Sequence, residues 1–232
     1  MSKVTPPALI VAVDTADPVK LDQLLAQLDP RLCRIKVGKE LFTALGPSVI
    51  DLVHAKDFEL FLDLKFHDIP TTVAKAVSAV ADLGVWMTNV HACGGSRMMR
   101  AAKQALLEKG SDMLLIGVTV LTSMEDTDLA EVSVERRAGD QVLHLANLAS
   151  EANLDGVVCS AQEVKLLKSA LGEAFKLVTP GIRLSGAAED DQRRITTPMD
   201  AVALGSDYLV IGRPITQSPN PLVTLKEINA SV

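Results

Sequence analysis

A short polar segment in the first third of the chain, DLKFHDIP, carries side chains suited to charge-based catalysis. It holds Asp63, Lys65 and Asp68 within six positions. In a strand, side chains alternate with a period of two, so Asp63 and Lys65 are predicted to face one side and Leu64 the other. A carboxylate and an ammonium placed in this way can pair directly, and Asp68 is close enough in sequence to lie beside them.

Two further charges stand at comparable places earlier in the chain. Asp14 directly follows an apolar run, and Lys36 lies at the end of the next one. With the DLKFHDIP segment they give five charges of alternating sign around one predicted pocket. A structural ion-pair network is the alternative interpretation, since such networks also occur without function. Catalysis is favoured, because removing each charge from water costs several kcal/mol.

A second cluster near the C-terminus has the composition of a phosphate site. The segments TPGIR (179–183) and IGRP (211–214) each place an arginine within two residues of a glycine. Gly212 permits close approach of the backbone to an anion, and the planar guanidinium of Arg213 matches phosphate oxygens. Ordinary turn chemistry is the alternative for either segment alone. The segment SGAAEDD (185–191) is small and polar, which predicts a loop able to close over a ligand.

Eight short, nearly continuous apolar runs predict strands buried on both faces of a parallel sheet. They are Ala8–Val13, Arg34–Val37, Leu60–Leu64, Val85–Val90, Met113–Val120, Gly156–Cys159, Lys176–Val178 and Tyr208–Ile211.

Stretches with helical periodicity separate these strands. Thr72–Leu83 and Gln141–Ala152 each show one apolar stripe, and the segment 196–205 has Thr197 as N-cap, Pro198 at the first helical position and Gly205 after the end. Strand ends recur about every 28 residues, close to the length of a βαβ unit. We therefore predict a single domain, residues 1–232, with the α/β fold of an eight-stranded parallel (β/α)₈ TIM barrel, whose strand ends bring the charged residues together. A doubly wound open sheet is the alternative, but the turn after the first strand contains no glycine.

The composition narrows the class of function. The 23 Lys and Arg against 29 Asp and Glu give a net charge of −6, which argues against a nucleic-acid or anionic-membrane partner. No apolar run approaches the roughly 18 residues of a membrane span, and the N-terminal segment does not have the pattern of a signal peptide. Three widely spaced cysteines are typical of a reducing compartment, so we expect a cytoplasmic protein. We find no metal-ligand spacing, no dinucleotide fingerprint and no nucleophile elbow, and expect neither a metal nor a cofactor.

Taken together, these motifs resemble the orotidine 5′-monophosphate decarboxylase family in its bacterial form. The resemblance rests on D-x-K-x-x-D within DLKFHDIPTT, Lys36 in RIKVGKELF, LTS at 121–123, TPGIR and IGRPI, and it covers essentially the whole chain in order. It implies cofactor-independent decarboxylation of orotidine 5′-monophosphate to uridine 5′-monophosphate and CO₂, the last step of de novo pyrimidine nucleotide biosynthesis. The implied protein is a nucleotide-binding carboxy-lyase.

The resemblance also implies a role for individual residues. Lys65 would donate the proton, Asp63 would hold Lys65, and Lys36 would contact the ribose and the charge network. Asp68 and Thr72 would reach into the site of a partner subunit, which makes the active unit a homodimer. The remaining implied substrate contacts are Asp14 to the ribose hydroxyls, Thr122 and Ser123 to the pyrimidine, and Arg183, Gln192, Gly212 and Arg213 to the phosphate.

Two rival functions stay open at this point. A related sugar-phosphate decarboxylase of the same barrel superfamily is implied to use an acidic metal ligand near position 36, and Lys36 argues against it. A non-catalytic barrel that binds a phosphorylated ligand would retain Gly212 and Arg213 but has no need of Asp63 and Lys65.

Overall fold

Strands and helices alternate along the chain, and a computed structural model describes residues 8–183 and 196–232. The strands are β1 (Leu9–Val13), β2 (Arg34–Gly38), β3 (Leu60–Phe66), β4 (Met87–His91), β5 (Leu114–Val118), β6 (Gly156–Val158), β7 (Lys176–Thr179) and β8 (Tyr208–Ile211). All neighbouring strands pair in parallel, and β8 closes onto β1 through the register Leu9↔Leu209. The prediction of an eight-stranded parallel barrel is confirmed.

Helices cover the outside of the barrel. In the described ranges they are α1 (Pro18–Leu25), α2 (Lys39–Leu45), α3 (Ser48–His54), α4 (Pro70–Asp82), α5 (Gly95–Lys109), α6 (Asp126–Glu131), α7 (Ala138–Glu151), α8 (Val164–Leu171), α9 (Pro198–Leu204), α10 (Arg213–Thr216) and α11 (Pro221–Ala230). Two short 3₁₀ turns, Ala92–Gly94 and Ala161–Glu163, precede α5 and α8. None of the described helices is long and apolar enough to cross a membrane.

Two apolar layers stabilise the barrel, and both follow from the alternation of side chains along the strands. On β1, Leu9 and Val11 face outward into the large core shared with the helices, whereas Ile10 faces the barrel axis. The inward-facing residues form a small, tightly buried cluster: Ile10, Phe61, Met87, Ile116, Val178 and Val210. The strands of a parallel barrel are buried on both faces, and this cluster fills the inner face. It forms an apolar floor beneath the carboxyl ends of the strands.

The predicted helices form with small shifts at their ends. The apolar stripe of Val73, Val77 and Val80 is buried on α4, which starts at Pro70 rather than Thr72, since proline suits the first helical position. The side chain of Thr197 caps α9 by accepting a hydrogen bond from Asp200 N at 3.2 Å. Among the strands, β3 ends at Phe66, two residues beyond its predicted end at Leu64. Its last part is bulged against β4.

Candidate active site

The carboxyl ends of the strands surround a cavity of about 420 Å³. Phe61, Val178 and Val210 of the interior cluster reach its base, so the cavity has an apolar floor. Its polar lining comes from residues that the sequence had singled out: Asp14, Lys36, Asp63, Lys65, Thr122, Ser123, Arg183, Gly212 and Arg213. The barrel thus brings nine of the eleven predicted site residues that it describes into one pocket.

Asp63 lies at the centre of the charged part of this pocket. Lys36 Nζ is 3.0 Å from Asp63 Oδ2, and Lys65 Nζ is 2.6 Å from Asp63 Oδ1. The two ammonium groups therefore bind opposite oxygens of one carboxylate. Their own side chains keep some exposure to the cavity, so both remain available to a ligand above the carboxylate.

The charge state of Asp63 follows from this arrangement. Burial alone would raise the pKa of its carboxyl group, but the charges of Lys36 and Lys65 outweigh that effect. Hydrogen bonds from Lys65 and Asn89 act in the same direction, so the pKa of Asp63 lies well below its usual range. At neutral pH the group is a carboxylate, as an ion pair with two lysines requires.

The local backbone that presents Lys65 differs from the regular strand that the sequence predicts. Leu62 pairs with Thr88 and Phe66 with Val90, so β3 carries two more residues than β4 over this interval. Lys65 adopts a positive φ of 54°, in the left-handed region. Simple alternation therefore does not explain why Lys65 shares a pocket with Asp63, although Leu64 does pack against the outer core as expected.

Asn89 is the site residue that the sequence analysis missed. It is fully buried on β4, donates through Nδ2 to Asp63 Oδ1 at 2.7 Å and accepts from Lys65 N at 2.7 Å through Oδ1. The available signal was an amide side chain inside a strand predicted to be buried on both faces, because buried polar groups require partners. His91, at the end of the same strand, does not line the cavity.

The opposite side of the cavity carries the predicted phosphate contacts. Arg183 follows β7, and Gly212 and Arg213 follow β8, with Gly212 directly before the short helix α10. Gln192 and the segment 185–191 lie outside the described residues. One continuous cavity extends from Asp63 to the two loops that carry the arginines. This shape suits an elongated ligand with an anionic end.

Asp68 and Thr72 do not line the cavity of their own chain. Both are exposed, Asp68 on the loop after β3 and Thr72 in the first turn of α4. Asp68 Oδ1 accepts a hydrogen bond from Ile69 N at 2.6 Å, which turns its carboxylate along the loop. The pocket of one chain therefore combines four of the five alternating charges, without Asp68.

Across residues 8–183 and 196–232, no group of three or more His, Cys, Asp or Glu side chains is arranged to hold a metal ion. The charged centre instead consists of one carboxylate with two ammonium groups.

The fold and the pocket define a class: a (β/α)₈ barrel with a charged site at the carboxyl ends of its strands and two arginine-bearing loops after β7 and β8. The family model described as "Orotidine 5'-phosphate decarboxylase / HUMPS family" matches residues 7–228, and the chain belongs to this family.

Individual relatives agree with this assignment. The chain is 58% identical over 225 residues to an orotidine 5′-phosphate decarboxylase of Shewanella sediminis, covering 97% of this chain and 96% of that protein. It is 57% identical over 227 residues to the Vibrio cholerae protein of the same name, covering 97% and 98%. The crystal structure of orotidine 5′-phosphate decarboxylase from Lactobacillus acidophilus is similar with a TM-score of 0.86 and 38% identity, covering 98% of this chain and 99% of that one.

Proposed function

We propose that this chain decarboxylates orotidine 5′-monophosphate to uridine 5′-monophosphate and CO₂ without a metal or organic cofactor. The observation that carries the proposal is the Asp63 carboxylate held between Lys36 and Lys65 on the apolar floor of the barrel. Membership of the decarboxylase family supports it. The relatives that bear the decarboxylase name match over nearly their whole length, which supports the same reaction here.

The chemistry of the substrate explains why such a centre is useful. Loss of CO₂ from C6 of the pyrimidine leaves an electron pair in the plane of the ring, where the π system cannot delocalise it. Stabilisation must then come from fixed charges placed where the carbanion develops. A lysine ammonium in an apolar cavity meets this need, and it can transfer its proton to C6 in the same position.

We assign these tasks to Lys65 and its partners. Lys65 stabilises the carbanion and protonates it, while Asp63 fixes the Lys65 ammonium at 2.6 Å. Lys36, bound to the other carboxylate oxygen, completes the charge network and contacts the ribose. The ionised Asp63 also repels the substrate carboxylate, which favours its departure as neutral CO₂.

The remaining lining residues are assigned to substrate binding. Asp14 binds the ribose hydroxyls, and Thr122 and Ser123 contact the pyrimidine from the loop after β5. Arg183, Gly212 and Arg213 bind the phosphate, supported by their position at the far side of the cavity, together with Gln192. Binding energy from a phosphate remote from C6 can then be used to orient the reacting ring.

We further propose that the active unit is a homodimer in which Asp68 and Thr72 serve the neighbouring site. Both residues are exposed and lie away from their own cavity. Ile69 beside them is apolar and 64% exposed, so its side chain is available to a contact surface. A cytoplasmic location is supported by Cys33, Cys93 and Cys159, which are far apart in the sequence and form no disulfide within the described residues. That residues 1–232 form one domain stays a prediction.

The decisive experiment follows the absorbance of orotidine 5′-monophosphate during turnover. We expect wild-type protein and the surface variant Lys165→Ala to consume it equally, with and without a chelator, and Lys65→Ala to lose at least 99% of the activity with its fold intact by circular dichroism. Lys165 is an exposed residue of α8 and controls for loss of a lysine charge.

The same assay separates the rivals. If Lys65→Ala keeps a tenth of wild-type turnover, the assignment of Lys65 is wrong. Activity that disappears with chelator, or that occurs only with a sugar phosphate bearing a carboxylate, would indicate the related decarboxylase. Binding of the nucleotide without any turnover would indicate a non-catalytic barrel.

A further inference from the structure

We infer that Asn89 is a positioning residue that holds Lys65 and Asp63 in their reactive arrangement. The inference rests on the roles given to these two residues in the proposed function. It starts from the bulge in β3, where Asp63, Leu64 and Lys65 together stand opposite the single residue Asn89 on β4.

A bulge of this size removes regular ladder hydrogen bonds and leaves backbone groups to be satisfied in another way. The Asn89 side chain supplies such a bond to the backbone of the bulge. Its Oδ1 accepts from Lys65 N at 2.7 Å, at a residue whose φ of 54° few non-glycine residues adopt. Such a backbone conformation persists only where surrounding contacts impose it.

The second bond of Asn89 joins this backbone to the carboxylate. Asn89 Nδ2 donates to Asp63 Oδ1 at 2.7 Å, the same oxygen that accepts from Lys65 Nζ at 2.6 Å. One buried amide thus fixes both ends of the ion pair, the backbone of Lys65 and the carboxylate of Asp63. The reverse orientation of the amide is excluded, because it would set N–H against N–H and oxygen against carboxylate.

Few charged or titratable groups lie near Asn89. Lys36 approaches from β2, and Asp63 and Lys65 from β3. His91 follows two residues later on β4, with its ring 5.8 Å from that of His67. On the other side β5 presents only apolar residues and a glycine, LLIGV. A new charge at position 89 would therefore act on Asp63 and on the two ammonium groups bound to it.

Asn89→Asp is the sharpest test, since it is nearly isosteric. When protonated, the new carboxyl group can accept from Lys65 N and donate to Asp63, as the amide does. When ionised, it loses the donor and repels Asp63 at short range, so two carboxylates share one proton and one pKa is raised. Lowering the pH should therefore restore the native arrangement.

Thr88→Val is the matched control on the same strand. Thr88 is also fully buried, and its Oγ1 donates to Leu62 O at 2.9 Å, but it contacts neither Lys65 nor Asp63. Its loss removes a buried hydrogen bond from the same β3–β4 pair without changing the ion pair.

We expect the ratio of Asn89→Asp to wild-type kcat/KM to fall at least tenfold between pH 5.5 and pH 8. Asn89→Ser, whose hydroxyl cannot reach both partners, should lose at least tenfold in kcat with KM changed less than threefold. Thr88→Val should keep kcat within twofold. If Asn89→Asp does not fold, Asn89→Ser decides by its kcat.

A pH profile of Asn89→Asp parallel to wild type, undiminished kcat in Asn89→Ser, or an equal loss in Thr88→Val would overturn the positioning role. Lys65→Ala, assayed in parallel, separates a failure of the role of Asn89 from a failure of the role of Lys65. If Lys65→Ala is inactive while Asn89→Ser is fully active, only the role of Asn89 is wrong. An active Lys65→Ala would overturn the role proposed for Lys65 and this inference with it.

Discussion

Lys65 Nζ lies 2.6 Å from Asp63 Oδ1, although the strand that carries both residues is bulged between them. In a regular strand the two residues would simply stand side by side, about 7 Å apart along one face. Here the pair depends on a left-handed backbone at Lys65, which is held from the neighbouring strand. The position of Lys65 is thus set by tertiary structure as well as by its spacing in the sequence.

The shared-site proposal predicts complementation between two inactive variants. If Asp68 of one chain serves the pocket of the other, a mixed dimer of Lys65→Ala and Asp68→Ala chains contains one site with both residues intact. Activity should therefore return when the two inactive proteins exchange subunits, to roughly a quarter of the wild-type value for random mixing. The measurement is turnover of orotidine 5′-monophosphate after exchange confirmed by native mass spectrometry, and confirmed exchange without recovery would contradict a shared site.

A second prediction concerns stability at the amino-terminal end of the barrel. Asp207 accepts from Leu177 N at 2.9 Å and from Lys168 Nζ at 2.8 Å, and the Lys168 side chain is only 9% exposed. Asp207→Ala leaves a backbone N–H and a buried ammonium without this partner, so it should lower the free energy of unfolding by about 2–4 kcal/mol. Urea denaturation measures the change, and kcat should stay near the wild-type value.

The control is an ion pair of the same type on the surface. Asp22 contacts Lys56 at 2.8 Å, and their side chains are 54% and 34% exposed, so Asp22→Ala should cost less than about 1 kcal/mol. Equal destabilisation by the two variants would show that burial of Lys168 is not the reason for the effect.

Most of the fold could be predicted because its signals are local. Continuous apolar runs mark strands buried on both faces, and the recurrence of strand ends reveals the barrel. The bulge in β3 could not be predicted in this way, because it depends on pairing with β4, and pairing is a long-range property. For the same reason Asn89 was overlooked: its importance comes from two bonds to another strand.

The candidate site followed a similar division. Residues that end strands fall into the pocket once the barrel is accepted, as Lys36 and Arg213 illustrate. Asp68 lies on a loop whose direction the strand pattern does not determine, and in its own chain it is exposed and does not line the cavity. Sequence spacing alone therefore located the pocket residues that follow the strand pattern, but it did not locate Asp68 on its loop.

A third prediction uses the titration of His91. Burial lowers the pKa of its imidazole, with further contributions from His67 and Lys39, so the folded protein binds this proton less readily than the unfolded chain. Stability is therefore lost as the pH falls through the ordinary value of 6.5. Asp63 acts in a separate, lower range: its lowered pKa contributes stability above the ordinary 3.8, which is lost only at more acidic pH.

The measurement is the free energy of unfolding in urea at pH 7.5, 6.5 and 5.5. Wild type should become less stable toward pH 5.5, and His91→Gln should show a clearly flatter dependence. His144→Gln removes a histidine from α7 and should keep the wild-type slope. Parallel slopes in all three proteins would mean that His91 is not the group responsible.

The last prediction concerns the phosphate and Arg213. The guanidinium offers a planar, two-pronged contact to a dianion, and this contact lies across the cavity from the reacting carbon. Arg213→Ala should weaken nucleotide binding by about 1.5–3 kcal/mol or more, since hydrogen bonds between charged groups have this magnitude. Orotidine, which has no phosphate, never makes the contact, so its turnover should be almost unchanged. Added guanidinium ion should partly restore nucleotide turnover by entering the vacated space.

The exposed Arg137→Ala controls for loss of positive charge and should match wild type with both substrates. An equal loss for nucleoside and nucleotide would mean that Arg213 supports the fold, and the phosphate site would then have to lie elsewhere in the cavity.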